Sequence, residues 1–481
     1  MQDPKEKKYI AFVMMMSPGT IRSIKALSME HAVQYTPLLL WDSRIRRNGK
    51  YDGIATVLEF DFSKPWKIAS ALLPYQDSLV AITCGSDDHI SRLADVIPHV
   101  PYLRTPTTES LRWATDKYEM RKRLRLYDKK NTPKFTWVKE NTKKERQRVA
   151  EKVGFPLIVK PTNLGSSLLV SICYHEEELE KTLKTMFRKI KSLYSSGNRT
   201  ETPKIIAEEF MDGDMYSIDS YVSSRGAVWH CPLVRIVTGR NIGHDDFYNY
   251  KQMTPTALKQ STVEKAQHAA ETAIHALGLR STTAHVELMK IDDEWKIIEV
   301  GPRMGGFRGI LHELSCDIDH AANDALIRMA KKPVVPRKCK GFAVAMKWFT
   351  KAEGTIYEMK GVKKLEELDS FHSITMNKKI GDTALLSKSG GKSIFNLFLY
   401  NDDRSKLLAD IRRVEQMVKI GVKNRRKKVN QSASDTKKVT KTTASKKSSA
   451  ATETSTQSAV HSSEKKATAK VAKKTSKKTT S

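Results

Sequence analysis

The chain has 481 residues, 39% of them hydrophobic, and carries 84 Lys+Arg against 54 Asp+Glu for a formal charge of +30. That length exceeds one typical core, so two or three domains are expected. No apolar run approaches the roughly 18 residues that would span a membrane. The five cysteines (84, 173, 231, 316 and 339) are scattered, odd in number and lack a C-x-x-C pair. They suggest a reducing cytoplasm, with no structural zinc and no disulfide framework expected.

In chain order, residues 1–105 alternate apolar runs with amphipathic segments. "YIAFVMMM", "YTPLLLW" and "SLVAITCG" read as strands, and "GTIRSIKALSMEHAV" and "DHISRLADVI" as helices, which gives a small Rossmann-like α/β unit. The first run is eight residues long and ends in Ser-Pro-Gly with no small-residue cleavage site. It is therefore read as a strand and not as a signal peptide. No G-x-G-x-x-G follows it, so a dinucleotide site is not supported there. Residues 106–150 read as a basic, helical connector through "TTESLRWATDKYEMRKRLRLY".

From 151 to 211, "FPLIVKP" and "LLVSICY" are strands around a loop, "EEELEKTLKTMFRKIKSLY" a helix and "KIIAEEFM" a strand. Residues 212–310 are mostly strand-like around the helix "STVEKAQHAAETAIHALGL", and 340–420 give short strands and a closing helix. Beyond residue 421 the composition is Lys/Ser/Thr/Ala, with 17 Lys+Arg against 3 Asp+Glu, a net +14. Such a segment cannot bury enough apolar surface to order itself, so a disordered basic tail is expected. Its paired lysines favour non-specific affinity for nucleic acid or another polyanion over a merely solubilising role, with binding that weakens as salt rises.

Three constellations carry chemistry. In "GFPLIVKPTNLGSSLLV", Lys160 ends a buried strand before a small-residue loop whose amides and hydroxyls suit phosphate. The alternative is an ordinary hairpin with a surface lysine. "SGGKS" at 389–393 resembles half of a Walker loop, but Leu386 stands where its first glycine belongs, so a P-loop is rejected. In "IIAEEFMDGDMYSID", a strand delivers Glu208 and Glu209 into an apolar turn that suits a nucleobase edge. An acidic inter-strand loop is the competing reading.

The third constellation is "HVELMKIDDEWKIIEV", two apolar runs around a polar turn, which is a hairpin signal. A turn centred on Asp293 sets Glu287 directly opposite Glu299. Like charges are destabilising at such positions, and a cation would compensate. A register off by one, with one glutamate at an exposed edge, is the alternative. "GPRMGGFRG" follows and puts Arg303 four residues past Glu299, where it suits a transferring phosphoryl group.

The order and spacing of these pieces resemble the ATP-grasp superfamily, closest in style to the L-amino acid (dipeptide) ligases and carnosine-synthase-like carboxylate–amine ligases. The resemblance runs from about residue 75 to 420, on "TDKYEMR", "FPLIVKP", "AEEFMDG", "HVEL" and "IIEVGPRMGG". It implies an α/β (α+β) chain with a Rossmann-like pre-ATP-grasp domain (1–105). An ATP-grasp domain (106–335) follows, with small and large subdomains of about 120–207 and 208–335. A β-rich lid (336–420) and the tail (421–481) complete the chain.

The resemblance also implies roles. Lys117, Lys160, Gly165, Ser166 and Ser167 would hold ATP phosphates. Glu208, Glu209, Phe210 and Met211 would hold adenine. Glu287 and Glu299 would bind Mg²⁺ or Mn²⁺, and Arg303 would be catalytic. His285 and Arg308 are candidate substrate contacts, weighed against a packed structural histidine and an ordinary surface arginine respectively. Where many members carry a third ligand two residues past the second glutamate, this chain has Gly301. Where many carry a ribose-binding glutamate it has Met215, and Asp214 beside it is the candidate substitute. The implied reaction is ADP-forming: a small carboxylate, activated as an acylphosphate, is joined to an amine. Two alternatives stay open: another ATP-grasp chemistry, such as a carboxylase or a C–N ligase of nucleotide synthesis, and a nucleotide-fold protein that binds polyanions. The oligomeric state is not encoded in any of these features.

Overall fold

The apolar runs of the first hundred residues form a parallel sheet, and both its faces must be covered. β1 (Lys7–Val13), α1 (Thr20–Glu30), β2 (Gln34–Asp42), β3 (Thr56–Phe60), α2 (Pro65–Leu72), β4 (Leu79–Thr83) and α3 (Ile90–Val96) assemble with strand order β3-β2-β1-β4. Leu38, Leu39 and Leu40 are fully buried, as strands covered on both sides require. The computed structural model describes residues 6–16, 19–47, 51, 53–165, 167–196 and 202–423. The tail expected from residue 421 lies outside these residues, except that Gly421 to Lys423 belong to a strand. No helix among the described residues is long and apolar enough to cross a membrane.

The basic connector is two helices. α4 (Thr108–Thr115) stops where α5 (Lys117–Tyr127) starts, because the Asp116 carboxylate accepts hydrogen bonds from the Tyr118 and Glu119 amides at 2.9 and 3.3 Å. This cap makes Lys117 the first residue of its helix. β5 (Phe135–Val138), α6 (Lys143–Val153), β6 (Leu157–Pro161), β7 (Ser171–Cys173), α7 (Glu176–Ser196) and β8 (Ile205–Glu209) follow. Their antiparallel sheet runs β5-β8-β6-β7, so the small subdomain begins inside the segment read as a helical connector.

The larger sheet joins β9 (Asp214–Val222), β10 (Val228–His230), β11 (Val234–Thr238) and β12 (Asn249–Thr254). After α8 (Gln260–Ala276) it takes in β13 (Thr282–Ile291) and β14 (Glu294–Gly301). α9 (Arg308–Cys316) and α10 (His320–Arg328) come next, in a region whose reading as mostly strand ended at 310. β15 (Phe342–Trp348), β16 (Gly354–Lys360), β17 (Phe371–Met376), β18 (Thr383–Ala384), β19 (Phe395–Asn401), α11 (Arg404–Met417) and β20 (Lys419–Lys423) complete the described chain.

The strand order β14-β13-β9-β11-β12-β15-β19-β17 carries one sheet from the large subdomain straight into the lid. β15, β17 and β19, in the segment expected as the lid, are part of this sheet, and β20 pairs with β16 beside it.

One expectation is corrected. Cys316 and Cys339 form a disulfide, while Cys84, Cys173 and Cys231 are free and buried. Scattered positions in sequence say nothing about distance in space. Here the Lys340 and Gly341 amides both bond the Ser315 carbonyl, at 2.8 and 3.2 Å, and this folds Cys339 back onto the end of α9.

Candidate active site

A cleft of about 810 Å³ lies among the small subdomain, the large sheet and the lid strands. Its floor is the β13–β14 hairpin. The turn there has two residues, Asp292 and Asp293, with Asp292 at φ +50 and Ile291 opposite Glu294. It is thus centred between the two aspartates and not on Asp293.

A bulge at Ile298 restores the expected register, so Glu287 does face Glu299. The bulge also reverses the alternation of faces. Trp295 and Ile297 before it, and Val300 after it, all pack in the core beneath α8. Glu299 escapes that core and lines the cleft with Glu287. Arg121, fully buried on α5, pins the bulge by donating to the Ile297 and Ile298 carbonyls at 2.7 and 2.8 Å.

Glu299 Oε1 accepts from Lys117 Nζ at 2.8 Å, and Lys117 also donates to the Leu164 carbonyl at 3.1 Å. Glu287 Oε1 lies 3.5 Å from His285 Nε2. Burial pushes the Glu287 carboxyl up, but the His285 hydrogen bond and the charges of His285, Arg303 and Arg308 outweigh it and hold the group below its ordinary value. It is ionised at neutral pH, as a metal ligand must be.

Among the described residues no cluster of three or more His, Cys, Asp or Glu could cage a metal. Two opposed carboxylates alone fit Mg²⁺, which commonly takes one or two protein carboxylates and completes its shell from phosphates and water. At Gly301 a Cβ would come within 3.1 Å of Asp87 Oδ1. The space of an expected third ligand is thus filled by a carboxylate from the loop after β4. Asp87 pairs with Arg303. Burial raises the Asp87 carboxyl, and the charge and hydrogen bond of Arg303, with the charges of Lys117 and His285, more than reverse this.

Lys160 and Glu208 meet directly, Nζ to Oε2 at 2.7 Å. Arg121 holds the same carboxylate through Nε at 2.9 Å and Nη2 at 3.0 Å. Burial disfavours the charged Glu208, yet these two cations bring its pKa to about 2. Burial, with the charges of Arg121 and Lys117, pushes the Lys160 ammonium below its ordinary value despite Glu208. Gly165 and Ser167 line the cleft, and Ser167 Oγ donates to the Phe247 carbonyl at 3.2 Å. Ser166 lies outside the described residues.

At the hinge, Glu209, Phe210 and Met211 all line the cleft. The Glu209 and Phe210 amides bond the Lys134 and Pro156 carbonyls at 2.9 and 3.2 Å. Asp214 does not reach the cleft. Strand alternation turns Met215 inward and leaves Asp214 on the outer side, 3.0 Å from Arg235. Asp212, one turn earlier, is the acidic residue that lines the cleft there.

The sequence reading missed Asp219, which organises the rear of the site. One oxygen is 2.6 Å from His285 Nδ1, and the other is 2.6 Å from His320 Nε2 and accepts from the Gly305 amide at 2.7 Å. A Cβ on Gly305 would lie 2.5 Å from His285 Nδ1, so only glycine allows this approach. Burial raises the Asp219 carboxyl, but its two histidines hold it far below its ordinary value. His285 thus stands between Asp219 and Glu287 and lines the cleft. Arg308 lines the cleft, where Nη1 donates to Gln252 Oε1 and Nη2 to Ser217 Oγ, both at 2.6 Å, while the buried Nε has no hydrogen-bond partner among the described residues. Asp87 and Arg121 were missed too, because "GSDDH" and "MRKRLRLY" look like solvent-facing charge. Polar Asp219 inside the strand "YSIDSYV" was the readable signal.

Residues 153–310 match the family model described as the ATP-grasp domain. The alanine–anticapsin ligase of Bacillus subtilis (strain 168) is 26% identical over 237 residues, which covers 48% of this chain and 49% of that protein. The D-alanine–D-alanine ligase of Flavobacterium johnsoniae is 24% identical over 160 residues, 32% of this chain and 44% of that one. The chain spans about half the length of the curated relatives it matches. Among solved structures, the L-amino acid ligase from Bacillus licheniformis superposes with a TM-score of 0.67 at 17% identity, over 88% of this chain and 100% of that one. This shared architecture is the ATP-grasp fold.

Proposed function

We propose that this chain uses its ATP-grasp domain to join a small carboxylate to an amine, with amino acids as the substrate class and ADP and phosphate as products. The observation that carries the reading is the opposed Glu287–Glu299 pair, with Lys117, Lys160 and Arg303 lining the same cleft. Relatives named as ligases support it.

Lys117, Lys160 and the Gly165–Ser167 loop would position the phosphates, and the hinge at Glu209–Met211 the base. Glu287 and Glu299 would hold Mg²⁺, which would supply charge neutralisation to the ATP phosphates. A substrate carboxylate oxygen attacks the γ-phosphorus, and the bond to the ADP oxygen breaks. Arg303 stabilises the charge that develops on the transferring group, held in place by Asp87. The amine then attacks the acyl carbon. The C–N bond forms, phosphate leaves with the former acyl oxygen, and the nitrogen loses a proton to solvent. Polyanion affinity of residues 421–481 is a separate part of this reading.

The test is ADP release over pairs of amino acids with Mg²⁺, beside Glu299→Gln. Release that requires both partners and falls at least about 100-fold in the variant is the expected result. Undiminished turnover in the variant would sink the metal assignment.

A further inference from the structure

The cleft has a second end, built by the lid. Lys347 on β15 stands directly opposite Asn396 on β19. Ser393 Oγ donates to Asn396 Oδ1 at 2.8 Å, and Asn377 Nδ2 donates to Ser393 Oγ at 3.0 Å. These residues and Lys392 all line the cleft. They include the Lys-Ser pair of the rejected "SGGKS" motif. Its Gly391 serves a close turn, since a Cβ there would meet the Leu385 carbonyl oxygen at 2.1 Å.

The charge at this end is one-sided. Every acidic residue that lines the cleft comes from the N-terminal layer, the hinge or the hairpin, and none from the lid. Among the described residues Lys347 has no carboxylate within ion-pair distance, and its ammonium stands 4.8 Å from the centroid of the Phe307 ring. Burial and the Arg308 charge push it down to about 8, offset only in part by Glu287. A cation held in a cleft without a counter-charge is a position that an anion stabilises. The Ser393 hydroxyl gives its proton to Asn396 Oδ1 and so fixes that carboxamide, whose Nδ2 can donate to a carboxylate beside the lysine.

We propose that the lid end of the cleft, through Lys347 with Lys392, Ser393 and Asn396, binds the side-chain carboxylate of an acidic amino acid, so that one of the two substrates is dicarboxylic. This rests on the amide-ligase reading of the same cleft. The site's selectivity is then between an acid and its amide: the pair Lys347–Asn396 rewards a negative charge that glutamine or asparagine lacks.

The experiment compares L-glutamate with L-glutamine, and L-aspartate with L-asparagine, in the full chain. Binding is measured by calorimetry with Mg²⁺ and a non-hydrolysable ATP analogue, and turnover by ADP release. One acid should outperform its amide by at least about tenfold. Lys347→Gln should bring that ratio to within about threefold of one, and Lys347→Arg should keep it. Thermal unfolding of each variant reports whether it is folded. The inference is overturned if the unaltered chain prefers neither acid over its amide, or if Lys347→Gln weakens acid and amide equally. Selective acid binding with no ADP release from any pair would leave the subsite standing and refute the ligase reading. Release with neutral substrates alone would do the reverse.

Discussion

Glu208→Gln separates an adenine contact from a structural anchor. The Glu208 carboxylate, 2% exposed, is held by Arg121 and Lys160 at 2.7 to 3.0 Å. These partners lower it from an ordinary 4.5 to about 2. At about 1.4 kcal/mol per pH unit this amounts to about 3 kcal/mol of stability at pH 7. Removing one member of a buried ion cluster independently predicts about 3–5 kcal/mol, because the remaining charges lose their compensation. A carboxyl with a lowered folded-state pKa contributes fully above its unfolded value near 4.5. That contribution is lost as pH falls from there through about 2. Glu208→Gln should therefore lose about 3 kcal/mol at pH 7 and much less at pH 2. Equilibrium urea unfolding followed by circular dichroism measures both. Glu208→Gln with Lys160→Met should be more stable than Glu208→Gln alone, since one stranded cation is gone. A loss below about 1 kcal/mol, with only the KM for ATP changed, would refute the anchor and leave Glu208 as a ligand contact.

Asp87→Asn removes the charged partner of Arg303, so kcat for ADP release should fall roughly 10- to 100-fold while the KM for ATP stays within about threefold. Asp219→Asn weakens the support of His285 behind Glu287, and the Mg²⁺ concentration for half-maximal ADP release should rise roughly 10- to 100-fold; an unchanged Mg²⁺ requirement would contradict the support role. Thiol titration in denaturant should find three of the five cysteines free before reduction and all five after it. Cys339→Ser should lose about 3 kcal/mol, the entropy of a loop of 23 residues; five free thiols at the outset would disprove the bond.

The architecture was legible where local pattern decides it. The apolar runs of β1, β2 and β4, the acidic pair on a hairpin and the lysine closing β6 are all spelled out by residue type and period. Elements without a strong period were not. β5 is four residues long within a charged stretch, and its strand character comes from pairing with β8. Asp214 was misplaced for a related reason: chemistry named the residue type, but strand alternation turns that side chain outward and Met215 inward.

Sequence alone determined that Glu287 and Glu299 lie on facing strands and that Arg303 follows them. Whether both carboxylates share the cleft was not a local matter. An uninterrupted β14 would carry Glu299 to the same face as Trp295 and Ile297, into the core beneath α8. The bulge at Ile298 reverses that face, and Arg121, 177 residues away in sequence, satisfies the carbonyl groups it frees. Asp87 likewise reaches Arg303 from a different sheet, across 216 positions. Local pattern encodes which residues can do the chemistry. Long-range hydrogen bonds to a disrupted strand decide where those residues point, because the buried backbone groups that this bulge leaves open need a partner, and Arg121 provides it.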